Sequence, residues 1–391
     1  EAHGINVNYW DLVYQPNNKK IKSDIVNLGF VLNVIEERKE RDEVLKEAWK
    51  LTNSLLIVSV MVANEALIAQ FRPYKDGIIT SRNTFQKYYT QAEFQNYIES
   101  ILKTNAIAAE RGIFIIFKDK LEEQNFLSKR QKINRNWHYK TERVISARDR
   151  TLKKDVIDKN IELFRDFWET CLELGRAPAN DEFEFSEQIR KLSGSHMRAH
   201  DALLNHFGKD LFEEAERKRK EDLLLYFALG FFGRRKAQSK MPVSLKRDIK
   251  VFFDSYNEAL EEAKSILFSV GNPITINQAC NDAKSTISCG YLEDNHSFTF
   301  HKDFLNDLPI ELRIYIGCAT QLYGEIENFE LIKAHIRSGK VSLMRYDNWQ
   351  DSMPNLVERI KINMREQDVD FFDYTGEFKP VPLENKEIYI N

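Results

Sequence analysis

The chain has 391 residues and a formal net charge of −3, with 42% hydrophobic and 30% charged residues. Those proportions exclude a disordered polar chain and supply apolar mass for more than one core. No apolar run reaches membrane-spanning length and no secretory signal is visible, so a cytoplasmic protein with no membrane partner is expected.

Residues 1–125 alternate strand-like and helix-like segments, an α/β pattern with parallel-sheet character. Ile5–Asp11 is a short strand candidate ending on an acid. Asp24–Ile35 is nearly continuous in apolar residues, as expected of a strand buried on both faces that leads into a loop. A charged helix follows, with Leu45, Ala48, Trp49 and Thr52 on one face. Leu55–Val62 is the next strand, and a helix over Gln91–Lys103 leads to a strand at Gly112–Phe117. Residues 126–155 form a basic connector: the run from Lys129 to Lys154 holds ten Lys/Arg against two acids. Residues 156–270 are predicted to be mainly helical, with turns at Gly175–Pro178, Ser193–Ser195 and Met241–Pro242. Residues 271–391 are mixed α+β, with a strand at Val341–Tyr346.

The motifs that are absent narrow the chemistry. No G-x-G, G-x-x-x-x-G-K-[ST], G-x-S-x-G or H-E-x-x-H occurs. Cys171, Cys280, Cys289 and Cys318 form no C-x-x-C pair and no zinc-finger spacing, so buried, inert thiols and no metal are expected. In doubly wound sheets ligands bind beyond the carboxyl ends of the strands. An acid ending the second strand there can accept two hydrogen bonds from a ribose diol. Asp11 stands in that place, although a solvated turn residue reads equally well. Asn27, Gly29 and Phe30 lie where the next strand ends. Gly29 would let a ligand approach the backbone, or would mark a bend in a buried strand.

The runs YWD, DIVNLGFVLNVIEERKERDEVLKEAW, LLIVSV and TSRNTFQKYYTQAEF resemble the bacterial family of DNA phosphorothioation-associated methyltransferase-like proteins. The resemblance continues through LGRAPANDEF, GSHMRA, RKEDLLLYFALGFF, DIKVFFDSY, LRIYIGCA and KVSLMRYDNW, and so covers nearly the whole chain. It implies a Rossmann-like class I methyltransferase domain over residues 1–125, incomplete at its N-terminus. A mainly helical region and a C-terminal α+β region would follow. It also implies S-adenosylmethionine as cofactor and partners in a DNA-modification or antiphage defence system. Asp11 would hold the ribose, Trp10 and Leu12 would flank the adenine, and Asn27, Gly29 and Phe30 would stand beside the cofactor. Such proteins carry a D-x-G-x-G loop after a first strand that lies centrally in the sheet. A preceding segment or another chain is therefore expected to supply that strand, and weak or absent cofactor binding is expected of residues 1–391 alone. A direct pairing of Ile5–Asp11 with Asp24–Leu32 would defeat this expectation. NLGF lacks the prolines of an N-P-P-Y strand end and no Cys follows Pro, so neither amino nor C5-cytosine methylation is indicated.

Several polar stretches are candidates for acceptor or nucleic-acid contact, DNA being favoured. Thr80–Tyr89 carries Arg82, Gln86, Lys87 and Tyr88 and could form a lid over the sheet or an ordinary loop. In the connector, Lys129, Arg130, Lys132 and Arg135 could follow phosphates, and Trp137, with His138 and Tyr139, could stack on bases. Gly175–Gly208 resembles a helix-turn-helix unit with Arg190, Lys191, Ser195, His196 and Arg198 toward a groove; a simple packing pair fits as well. A non-catalytic nucleic-acid-binding or scaffolding subunit is the alternative to the enzyme.

Overall fold

The computed structural model describes residues 6–11, 14–63, 68–131, 135–138, 140–141, 156–233, 241–376 and 378–390. Lys132, Leu12 and Tyr139 lie outside them. The chain divides into two compact units. The first comprises Glu1–Glu123, Phe232–Arg235 and Leu267–Asn391, and the second Gln124–Phe231 and Lys236–Ile266. Thus the first and last parts of the sequence share one unit, and the helical part forms the other.

The first unit begins with a strand, helix, strand unit: β1 (Ser23–Gly29), α1 (Arg38–Leu51) and β2 (Thr52–Ser59). Thr52 ends the helix, its Oγ1 donating to the Ala48 carbonyl at 2.8 Å, and the apolar run Leu55–Val58 after it continues as strand. β1 and β2 are parallel, from Ser23 opposite Thr52 to Gly29 opposite Ser59. A small antiparallel sheet follows, formed by β3 (Arg72–Tyr74), β4 (Gly77–Ile79) and β5 (Phe85–Gln86). α2 (Gln91–Leu102) starts on a capping box between Thr90 and Glu93, and β6 (Ile107–Glu110) and β7 (Ile113–Phe117) form a hairpin. β7 inserts beside β2 and antiparallel to it, giving the order β1-β2-β7-β6. Leu45, Leu56, Val58, Phe94, Ile98, Phe114 and Ile116 make the core between this sheet and α1 and α2.

The mixed α/β class with a parallel pair agrees with expectation, but two predicted strands differ. Residues 6–10 carry no strand, and Asp11 forms only an isolated bridge to Gln15. This segment hydrogen-bonds to its own turn and to the residues just after it: Asn18 Nδ2 donates to the Tyr9 carbonyl and Asn8 Nδ2 to that of Lys19. β1 ends at Gly29 rather than Ile35. Among the described residues it pairs with β2 alone and so is an edge strand, and it is not buried on both faces: Val26 and Leu28 are half-buried, whereas Asn27 and Gly29 are exposed. Ile25 is 59% exposed on it.

The C-terminal part of this unit is a seven-stranded antiparallel sheet. Its main path comprises β8 (Tyr291–Glu293), β9 (Ser297–His301), β10 (Leu331–His335), β11 (Lys340–Tyr346), β12 (Asn355–Asn363) and β13 (Asp368–Asp373), neighbours in chain order, with β14 (Val381–Pro382) paired to β12. Two helices, Pro273–Ile287 and Ile310–Tyr323, bury Cys280, Ala283, Leu312, Ile316 and Ala319 in the same unit. The two sheets meet within the unit. Gln91 Nε2 donates to the carbonyls of Glu110 and Tyr323, both at 3.2 Å, and the Glu325 N–H donates to Ala109 at 2.9 Å. Arg111 lies over the Phe371 ring at 4.0 Å.

In the second unit, helices Ile161–Leu174, Ser186–Ser193, His196–Phe207 and Asp210–Phe232 surround an aromatic core of Phe164, Phe167, Trp168, Phe183, Phe207 and Phe212. Val243–Phe252 and the helix Tyr256–Ser269 as far as Ile266 complete it. Among the described residues no helix is long and apolar enough to cross a membrane.

Candidate functional site

The carboxyl ends of β1 and β2 form the first candidate site. Gly29 is exposed, and a Cβ there would meet only the Asn27 side chain, at 3.7 Å, so the protein's own packing does not demand glycine. The backbone turns at Phe30, which takes a φ of 56° and donates its N–H to the Ser59 carbonyl at 2.8 Å. The Phe30 ring is left 56% exposed, and Val31, Val34 and Met61 of the segments that follow β1 and β2 are exposed as well.

Asn33 holds this region together and was not singled out from the sequence. It is fully buried. Its Oδ1 accepts from the Met61 N–H at 2.9 Å, and its Nδ2 donates to the carbonyls of Met61 at 3.2 Å and Lys87 at 2.5 Å. Its own carbonyl accepts from the Lys87 N–H at 2.7 Å. One amide thus ties the loop after β1 to the end of β2 and to the Thr80–Tyr89 stretch. Only its N-L-G-F-V-L-N context, a polar residue inside an apolar run, signals it.

Thr80–Tyr89 is therefore partly ordered sheet and stands next to the strand ends. Arg82 is exposed at the β4–β5 turn, and Gln86 Nε2 meets Met61 Sδ at 3.3 Å. Lys87 pairs with Glu93 at 2.8 Å, and Tyr88 stacks with Phe71 at 6.2 Å. Trp10 lies under Lys20 Nζ at 3.8 Å. Asp11 Oδ1 accepts the Tyr14 N–H at 2.7 Å, the geometry of a solvated turn residue rather than of a strand-end acid.

The second unit brings together three of the singled-out segments. Arg176 of LGRAPANDEF forms a bidentate pair with Glu182, at 2.7 and 2.9 Å, and donates to the fully buried Asp248 of DIKVFFDSY at 2.7 Å. Arg219 of RKEDLLLYFALGFF donates to the other Asp248 oxygen at 2.6 Å. Burial works to raise the Glu182 carboxyl, but the Arg176 hydrogen bonds and the Ala179 N–H outweigh it and hold it at about 2. Gly175 caps the preceding helix at φ 61°, where a Cβ would stand 2.8 Å from that of Arg219. Glu182 and Arg219 also line a cavity of about 380 Å³ with Lys129, Asp222, Tyr226 and Ser244.

The connector and helix-pair candidates separate. Arg135 forms a bidentate pair with Asp222, at 2.8 and 3.0 Å, and Trp137 is buried in the helical core. Both are therefore internal, and neither presents the free guanidinium or open ring that the connector reading expected. Arg130 is half-buried and Lys129 is exposed. Of the groove candidates, Arg190, Lys191 and Arg198 are exposed. Ser195 caps its helix by accepting the Arg198 N–H, and His196 is buried, bonded to Ser186 Oγ at 2.9 Å and to the Pro178 carbonyl at 2.8 Å. All four cysteines are free and buried, and burial pushes their thiols up, to about 12 for Cys280, which disfavours the reactive thiolate. Among the described residues no cluster of three His, Cys, Asp or Glu could hold a metal ion.

No protein-family model, curated protein or solved structure significantly matches the chain.

Proposed function

We propose that this chain belongs to an S-adenosylmethionine-dependent methyltransferase of class I type that works beside a DNA phosphorothioation or antiphage defence system, on or near nucleic acid. The supporting observation is the order β1-β2-β7-β6, in which β1, β2 and β6 run one way and β7 the other. A class I methyltransferase sheet has this arrangement on one side of its first strand: the fourth, fifth, seventh and sixth strands, with the seventh reversed. The edge of β1 that is unpartnered among the described residues is where a first strand would continue such a sheet. Asn27, Gly29 and Phe30 then stand at the strand ends where the cofactor would lie, and the exposed glycine fits the approach of a ligand. Arg82, Gln86, Lys87 and Tyr88 border the same ends and would orient the acceptor. Bound there, the cofactor supplies an activated methyl group. The task of the residues is to position the acceptor in line with it, which is worth more to this chemistry than proton transfer.

The second reading, a non-catalytic nucleic-acid-binding or scaffolding subunit, draws on the turn at Asp11, whose carboxylate already serves the Tyr14 N–H. Calorimetry of S-adenosylmethionine decides between the two. The titration uses the gene product with any segment that precedes Glu1, as wild type and as Asp11→Ala and Asn27→Ala. The enzyme reading expects binding that weakens by about tenfold or more in each variant, the loss of a charged or strand-end hydrogen bond. Unchanged affinity in Asp11→Ala removes that residue from the site. No binding to the wild type overturns the enzyme reading in favour of the subunit.

A further inference from the structure

Directly opposed residues of an antiparallel sheet share a face. The register of the C-terminal sheet therefore aligns Tyr291, Thr299, Lys333, Ser342, Lys361 and Asp370 in one row across β8 to β13. The next row is Glu293, Ser297, His335, Lys340, Asn363 and Asp368, and on the other side His301, Leu331, Met344, Arg359 and Phe372. The opposite face carries Phe298, Phe300, Ile332, Ala334, Val341, Leu343, Ile360 and Ile362, all buried. One side of this sheet is thus core. The other is polar in its first two rows, where half-buried Lys333, His335 and Lys361 stand among buried Ser297, Thr299 and Ser342, while its third row packs with Trp349, Leu383 and Tyr389 around Leu331.

The acids of the polar face stand at its ends, Glu293 on β8 and Asp368 and Asp370 on β13. The four strands between them carry no acid on this face; besides Leu331, Met344 and Asn363 they present cations, hydroxyls and imidazoles. Lys361 has no ion-pair partner among the described residues, and Lys333 has only Glu293, at 3.8 Å. Arg359 has no acid partner there either. Its buried Nε makes no hydrogen bond, and its guanidinium lies 4.6 Å from the Phe372 ring and 5.9 Å from that of Tyr374. His335 sits among these groups with Nε2 at 3.1 Å from Ser342 Oγ. Burial first, then the charges of Lys333 and Lys361, push it down to about 4, so it adds a neutral hydrogen-bonding group. Each of the two lysines has an acid on its outer side, Glu293 for Lys333 and the directly opposed Asp370 for Lys361, while Arg359 has only the aromatic rings. At the edge of the strip Phe372, Tyr374 and Phe378 form an aromatic cluster with ring separations of 5.5 and 6.0 Å, and Phe378 is exposed.

We propose that this face binds a single strand of nucleic acid, with Lys333, Lys361 and Arg359 on successive phosphates and the Phe372–Phe378 cluster stacking a base. Two lysines of one row with an arginine of the neighbouring row match a charge repeated along a chain, and adjoining aromatic rings suit unstacked bases rather than a closed duplex. The inference rests on the nucleic-acid part of the reading above and not on methyl transfer. It moves that contact from the connector to the C-terminal sheet.

The test is fluorescence anisotropy of the full chain with a labelled oligothymidylate of about 20 nucleotides and with a duplex of the same length, over a series of salt concentrations. The proteins are the wild type, the pair Lys333→Glu and Lys361→Glu, and a control pair on α1, Lys46→Glu and Lys50→Glu. The expected result is a loss of about tenfold or more for the sheet pair, with the log–log salt slope shallower by about one to two, and near-wild-type binding for the control. Circular dichroism checks folding. If the sheet pair does not fold, Lys333→Gln with Lys361→Gln is measured instead, with a smaller loss and the same fall in slope expected. Affinity and slope unchanged in the sheet variant, an equal loss in the control, tighter binding of duplex than of single strand, or no binding by the wild type each overturns the proposal. Cofactor calorimetry on the same proteins reports the methyltransferase reading separately, so either can fail while the other stands.

Discussion

Two residues do most to order the candidate regions, and neither acts through charge exposed to solvent. Asn33 satisfies backbone groups of three segments with one buried amide, and Asp248 accepts from two arginines with no solvent contact. Breaking a buried ion pair from one side is costly because the remaining charge stays desolvated. Arg176→Met would leave Glu182 with Arg247 and Asp248 with Arg219, each short of a partner. The expected loss is about 3–5 kcal/mol of stability in the helical unit, read as a lower denaturant midpoint. A loss below about 1 kcal/mol would mean that Arg219 and Arg247 already balance those acids. Asp11 shows the reverse relation between sequence and site. Its position in the chain suggested a ribose-binding acid, while its described geometry is that of a local turn, and only the cofactor titration weighs the two.

At the scale of elements, the informative feature is where β7 lies. Its hairpin partner β6 is local, but its insertion beside β2 depends on one tight crossing. Gly112 turns the chain at φ 68° and donates its N–H to Gln91 Oε1 at 2.9 Å, and its carbonyl accepts from the Val60 N–H. A Cβ there would stand 2.2 Å from the Val60 carbonyl oxygen, a distance no side chain tolerates. Gly112→Ala must therefore shift the β6–β7 hairpin away from β2. It is expected to cost about 2 kcal/mol or more, from backbone strain plus the clash, and to lower the thermal midpoint. A variant as stable as the wild type would show that the hairpin packs with more freedom than this geometry implies. The edge strand β1 is the other element whose sequence misled: its apolar run reads as a strand buried on both faces, yet a strand's burial is set by its neighbours and not by its own composition.

For the molecule as a whole, both units carry buried histidines that fold in the neutral form. Burial lowers His335 in the first unit to about 4 and moves His200 in the second below its ordinary value of 6.5. Each binds a proton more readily when unfolded, so the unfolded state takes up more protons in the window between the two values. Stability is full above about 6.5 and falls as pH drops toward the folded values. Calorimetric unfolding should show midpoints that decline from pH 7 toward pH 5, and His335→Gln should flatten the decline of the first unit. A midpoint that rises over that range would contradict the neutral assignment. Local patterning was enough to locate strands at β1 and β2, the helices around them, the helical middle of the chain, a strand at Val341–Tyr346 and the buried thiols, because periodicity and turn residues act within a few positions. It also isolated LGRAPANDEF, RKEDLLLYFALGFF and DIKVFFDSY as separate segments. Only the tertiary structure decided that these three converge on Asp248, that β7 enters between β2 and β6, that the first and last parts of the chain build one unit, and that Thr299, Lys333, Ser342 and Lys361 fall in one row. Each of these depends on which strand or helix meets which, a choice made by contacts far apart in sequence, and a shift of one residue in register would have turned every lysine of that row to the other face.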